Sequence, residues 1–288
     1  MLLLLHLLNL PPHLQPPQSY SPLDETVYAI HKPRNVISAA SDDRARSGSG
    51  RPSNRPTLTD VMVAAGVDPL PGHCGRLDAE TSGLILVTSD TLLLRAVLNW
   101  PEVLDAHGGT PLTKRYSLLL AGRHEPLSPP LLTLGEPLQH QRGGKAFSSN
   151  AAEAVDHRRC FVDEDIASGE HALIDRKDDD VETARARLRQ QRAKPRFSRK
   201  TGERVPPYVP QDGWLTNVDL VLSQGRHHQV RRLVRRADLK LLHLRREAVG
   251  PVCLGEMAPG DVRVLDRAAK RELYAHCLPR LLDGDVVA

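Results

Sequence analysis

In the segment GHCGRLDAETSGLILVTSD, Gly72 to Asp90, an arginine precedes an aspartate by two residues in a polar turn. The turn runs into SGLILV, Ser82 to Val87, a short apolar run of β-favouring residues that Thr88-Ser89-Asp90 closes. Asp78 therefore falls on a loop leading into a buried strand, a place where a rigid scaffold can hold a catalytic carboxylate. An aspartate that caps its own turn fits the same spacing. The loop alone does not separate the two readings.

Charge distribution adds a second kind of chemistry. The 288-residue chain has a formal net charge of only +4, but the cations are gathered. Arg185–Arg204 holds nine Lys/Arg against one acidic residue, Glu203. Gly225–Arg246 holds eight against Asp238, together with His227, His228 and His243. Either block alone is what a solvated helix face would carry. Two in one chain point to a polyanion, and phosphate neutralisation makes nucleic acid the expected partner. The four cysteines, Cys74, Cys160, Cys253 and Cys277, are far apart with no CxxC pair, so a disulfide framework is not expected. His73-Cys74 and His227-His228 lack the paired spacing of a zinc site, and no metal is expected. The first residues, MLLLLHLLNL, are apolar but too short to span a bilayer, and they lack the basic start of a secretory signal. No membrane role is expected.

The elements that must position these residues follow from periodicity. Residues 1–25, ending in the proline-rich PPHLQPPQSYSP stretch and its flank, are expected to form a disordered leader. TVYAIHKP, from Thr26, alternates like an edge strand and stops at Pro33. TLTDVMVAAG predicts a helix capped by Thr57 or Thr59 and ended by Gly66. SDTLLLRAVLN predicts another, capped by Ser89 or Asp90, and KRYSLLLAG, Lys114 to Gly122, predicts a strand. From about 141 to 212 the pattern dissolves into opposite charge blocks, which predicts a mobile or partly helical insertion. In LTNVDLVLSQG, Val218, Leu220 and Leu222 share one strand face. In HHQVRRLVRRADL, Val230, Leu233, Val234 and Ala237 turn inward at helical spacing. Strands and helices interleave without regular βαβ spacing, so the expected class is α+β.

Four segments, HKPRNVIS, GRLDAETSGLILVT, KRYSLLL and GRHHQVRRLV, together resemble the pseudouridine synthases, nearest the RsuA-type branch that modifies ribosomal RNA. The tail Leu241–Leu265 resembles that branch's C-terminal pattern. The resemblance covers roughly residues 26–140 and 214–282, and leaves the insertion unexplained. It implies a pseudouridine synthase domain over 26–288, interrupted at about 141–212, with a mixed, largely antiparallel sheet, flanking helices and a central basic cleft. It further implies an enzyme that isomerises uridine in RNA without cofactor or metal, on a base flipped out of its helix. Asp78 is then the essential carboxylate. Arg231 is the guanidinium that keeps it ionised and oriented, and Tyr116 the aromatic that stacks on the target base. Arg76, Lys32, Arg226, Gln229 and Arg232 become RNA contacts, although a strand-end surface lysine is an equal reading of Lys32.

Two departures stand out. Asn35 occupies the glycine position of the family's K-P-x-G, and Ser223-Gln224 replace a Glu-Gly pair. Many relatives carry a small N-terminal RNA-binding module, and the residues before Thr26 are too few for one. Ribosomal RNA is the expected substrate and a monomer the expected state. A tRNA-modifying enzyme, and a catalytically idle RNA-binding assembly factor of the same fold, are the alternatives. The compartment is unknown from sequence, with the cytoplasm as default and an organelle as alternative.

Overall fold

The computed structural model describes residues 10–17, 20–39, 56–122, 124, 128–135, 138–142, 145–149, 154–162, 196–197, 204–205, 214–223, 225 and 228–282. In chain order the strands are β1 (Val27–Lys32), β2 (Gly72–His73), β3 (Ser82–Thr88), β4 (Lys114–Ala121), β5 (Leu138–Arg142), β6 (Lys145–Ser149), β7 (Ala154–Val162), β8 (Arg196–Phe197), β9 (Arg204–Val205), β10 (Trp214–Leu222), β11 (Lys240–Val249), β12 (Val252–Cys253) and β13 (Val262–Val264). The α-helices are α1 (Leu58–Ala64), α2 (Thr91–Val97), α3 (Pro101–His107), α4 (Pro129–Gly135), α5 (Gln229–Arg236) and α6 (Arg267–Cys277). The chain divides into two units. One comprises Met1–Tyr116, Leu222–His227 and Arg245–Ala288; the other comprises Ser117–Val221 and His228–Leu244.

In the first unit β1 lies between β13 and β3 and is antiparallel to both, with Ile30 opposite Val262 and Ile85. β3 runs parallel to β11, Ser82 beside Arg245 and Gly83 beside Arg246. Successive side chains alternate between two cores. Val27, Ala29, Leu84 and Leu86 pack with Leu93, Val97, Leu104 and Tyr274 of α2, α3 and α6. Ile30, Ile85 and Val87 face the other way, against Val36 and the α1 residues Leu58, Val61 and Met62. Burial on both faces is why SGLILV reads as one unbroken apolar run. It also corrects the expectation for TVYAIHKP: β1 is an interior strand with partners on both sides, not an edge. Helix α1 starts at Thr57, whose hydroxyl accepts from the Asp60 N–H while the Asp60 carboxylate accepts from the Thr57 N–H.

The leader expected to be disordered is anchored to the first unit in the part that is described. Leu14 and Leu23 are buried in the same core as α2 and α6. The Tyr20 hydroxyl donates to the Asp90 carboxylate, which also accepts from the Tyr274 hydroxyl at 2.5 Å and caps α2 through the N–H groups of Leu92 and Leu93. Burial, reinforced by the Asp90 charge, pushes both tyrosines far above their ordinary range, so both hydroxyls remain donors. The Lys270 ammonium donates to the Leu23 and Glu25 carbonyls. Prolines leave this segment little conformational freedom to lose, and Leu14 and Leu23 give it an apolar anchor.

In the second unit the strand order is β11, β4, β10, β7. β7 runs antiparallel to β10, with Ala154 opposite Val221 and Val162 opposite Trp214. The stretch read as an insertion from 141 to 212 therefore contributes a sheet strand, which the charged flanks hid. Residues 163–195, with the acidic run and most of the basic block, lie outside the described residues. Val218 and Leu220 are buried along β10, and Val230, Leu233, Val234 and Ala237 are buried along and just after α5, as periodicity requires. The Arg236 guanidinium donates to the Thr133 carbonyl of α4 at 2.6 Å. The fold is α+β, with a mixed, predominantly antiparallel sheet and flanking helices. Among the described residues no helix is long and apolar enough to cross a membrane.

Candidate active site

Asp78 is half-buried on the loop between β2 and β3, between exposed Arg76 and exposed Glu80, with Leu77 turned into the interior. The segment that follows β1 grips this loop. The Ser38 hydroxyl donates to the Leu77 carbonyl at 2.8 Å and accepts from the Leu77 N–H at 3.0 Å. The Asn35 N–H donates to the Ala79 carbonyl at 2.6 Å, and the Asp78 carbonyl accepts from the Thr81 N–H at 2.9 Å. Asn35 reaches this geometry at a φ of 65°, a left-handed value that asparagine tolerates. Backbone on both sides of Asp78 is thus fixed by neighbours distant in sequence.

Lys32 completes the grip, and its position corrects one expectation. It is fully buried, with 0% of its surface exposed, so it is neither a surface lysine nor placed to meet an RNA phosphate. Its ammonium donates to the carbonyls of Pro33 and Val36, each at 2.8 Å, and lies 3.5 Å from that of Ala79. Burial lowers its pKa to about 7, against the opposing pull of the Asp78 charge; Arg246 and Arg34 push it further down. The ammonium and the Asp78 carboxylate therefore lie within each other's field.

Two further cations sit inside the first unit. Lys114 opens β4 two residues before Tyr116, and it donates to the Val97 carbonyl at the end of α2 (3.0 Å) and to the Leu112 carbonyl (3.3 Å). A cation at a helix C-terminus is favourably placed, and this one ties the start of β4 to α2. Burial, then Arg246, lowers its pKa to about 8. Arg246 itself is only 3% exposed, and its Nε donates to the Leu84 carbonyl of β3 at 2.7 Å. It is absent from the candidates read out of the sequence. The signal was available, because Leu244, Arg246 and Ala248 share the buried face of β11, at the strand period of two. Within the arginine-rich run, that alternation was masked by the surrounding charge.

The structure places the remaining candidates as follows. Tyr116 is 7% exposed, in the same unit as Asp78. Arg231 and Arg232 are half-buried on α5 in the second unit, whereas Arg235 is exposed. Gln229, expected to touch RNA, is 3% exposed as the first residue of α5, so its side chain belongs to the interior. Arg226 lies outside the described residues. Among the described residues no group of three or more His, Cys, Asp or Glu could hold a metal ion.

The family model of the RNA pseudouridylate synthases matches residues 26–236. The chain belongs to that family. An uncharacterized RNA pseudouridine synthase of Mycobacterium leprae is 27% identical over 253 residues, covering 87% of this chain and 70% of the relative. The ribosomal small subunit pseudouridine synthase A of Pseudomonas aeruginosa is 26% identical over 241 residues, covering 83% and 70% respectively. A crystal structure of a pseudouridylate synthase is 18% identical, with a TM-score of 0.49, covering 87% of this chain and 74% of that one. By the family match the protein is a pseudouridine synthase, an isomerase.

Proposed function

We propose that this pseudouridine synthase acts on uridine in ribosomal RNA, with Asp78 as the essential carboxylate. The observation that carries the reading is the fixed Asp78 loop, bonded on both sides of the aspartate by Asn35 and Ser38 and backed by the Lys32 ammonium. Such a loop holds a carboxylate at one place for a substrate that must come to it. Isomerisation breaks the bond from uracil N1 to C1′ of the ribose, turns the base, and joins C5 to C1′. The proton on C5 leaves and N1 gains one, so atoms and electrons balance without an oxidant or reductant. A stacked base cannot reach a half-buried carboxylate, so the target nucleotide is flipped out of its helix. Tyr116 stacks on that base, and Arg231 is the catalytic guanidinium expected from the sequence. Arg76, which is exposed, and Arg232, which is half-buried, take phosphates.

Ribosomal RNA is favoured over other RNA by the likeness to the Pseudomonas aeruginosa enzyme, whose name states a ribosomal small subunit target. The two basic blocks of the sequence suit a large, structured polyanion. Mapping pseudouridine across total RNA from cells with and without the protein tests the assignment. Loss of one or a few ribosomal sites is the expected result. Loss confined to tRNA would move the substrate, and no lost site in any RNA would leave an RNA-binding protein without this activity.

A further inference from the structure

The turn between α2 and α3 presents Leu98 and Trp100 to solvent, 37% and 47% exposed, in a chain with only two tryptophans. This turn is strongly braced. Asn99 holds a φ of 59°, and its side-chain amide donates to the carbonyls of Leu112 and Ser223 while its oxygen accepts from the Leu112 N–H at 2.9 Å. One asparagine thus ties the turn to the approach to β4, which carries Tyr116, and to the start of the SQGRHHQVRR segment. On a third side, Leu98 lies beside Gly75, whose Cβ, were there one, would sit 3.5 Å from a Leu98 methyl. Gly75 immediately precedes the exposed Arg76. Pro101 restricts the backbone of Trp100 itself.

Trp100 is also accompanied by a cation. The Arg95 guanidinium lies 5.4 Å from the centre of its ring, held there by a 2.9 Å bond from Nη1 to the His13 carbonyl. An exposed indole on a fixed turn, with Arg95 beside it and the Arg76 loop adjoining, has the two parts that single-stranded nucleic acid selects. These are an aromatic face for a base and cations for the flanking phosphates. Glu102, in the first turn of α3, is the acidic neighbour on this surface.

We infer that Trp100 is a stacking platform for an unpaired nucleotide of the RNA substrate, with Arg95 and Arg76 contacting its phosphates. The inference rests on the reading of this protein as an RNA-modifying enzyme. Its test uses the full chain and a twelve-nucleotide oligouridylate. With Trp214→Phe as background, Trp100 becomes the sole emitter, and oligouridylate should quench its fluorescence. Trp100→Ala should weaken binding roughly five- to 150-fold, the range of one lost base stack. Trp100→Phe should retain most of the affinity, which excludes a folding defect as the cause. Unaltered emission together with unaltered affinity in Trp100→Ala overturns the platform, whatever pseudouridine the wild-type protein makes. A wild-type protein that neither binds the oligonucleotide nor modifies RNA removes the platform and the functional reading together.

Discussion

Lys32 carries the sharpest lesson at the scale of single residues. The sequence shows a lysine before a proline, which suits a surface contact as well as any other use. The structure shows an ammonium shared among three backbone carbonyls, one of them adjacent to Asp78. What decides between the two is the direction of one side chain at the end of an interior strand, and that is not encoded locally. Lys32→Met should therefore leave RNA affinity unchanged while lowering the saturated rate by about tenfold, equivalent to ~1.4 kcal/mol of barrier. It should also change the pH dependence of stability. Because the folded pKa lies near 7 and the unfolded one near 10.5, the unfolded chain holds the extra proton between those values. Stability contributed at this site then rises with pH from about 7 to about 10.5, and the burial penalty is complete below that window. Denaturation of wild type and variant at pH 7 and pH 10 checks this, and the wild type should gain relative to Lys32→Met at the higher pH. An identical difference at both pH values would mean that Lys32 is exposed.

Elements were legible wherever one periodicity ran unbroken. The alternation in β10, the 3.6-residue pattern of α5 and the Thr57 cap of α1 all stand where periodicity puts them. Strand pairing was less legible, since a lone strand does not reveal its neighbours: β1 looked like an edge because Pro33 ends it, and β7 looked like loop because charge surrounds it. The parallel contact of β3 with β11 depends on Gly83, which sits at a φ of 111°. A Cβ there would fall 2.4 Å from both the N and the O of Arg246. Gly83→Ala should consequently cost more than about 2 kcal/mol, as clash adds to backbone strain. Gly255→Ala supplies the comparison, since it has a positive φ of 61° but nothing within 4 Å of the added atom. It should cost only about 1 kcal/mol. Equal losses in urea denaturation would show that the close approach of the two strands does not matter.

For the whole molecule, family and fold were legible in four short motifs, and the family match bears them out. The long charged stretch carried no such constraint, and its contribution to the sheet appeared only with β7 in place. That strand changes how the stretch can be tested, because removing all of 141–212 would take a strand from the sheet. Replacing Arg185, Arg187, Arg189 and Arg192 by Gln leaves β7 intact. It should flatten the salt dependence of RNA binding by roughly 0.7 to 0.9 log units per lost phosphate contact, without altering the rate at saturating RNA. An unchanged slope would assign that block to solvent or to a protein partner. The central claim, however, is that Asp78 performs the isomerisation, and one measurement addresses it directly. Pseudouridine formation is followed in single turnover on ribosomal RNA with wild type and with Asp78→Asn, which removes the charge while keeping the volume. The variant should fold, bind the RNA with undiminished affinity, and form no detectable pseudouridine. Turnover within about tenfold of wild type would contradict the account, because so small a change is less than one carboxylate at the reacting centre supplies.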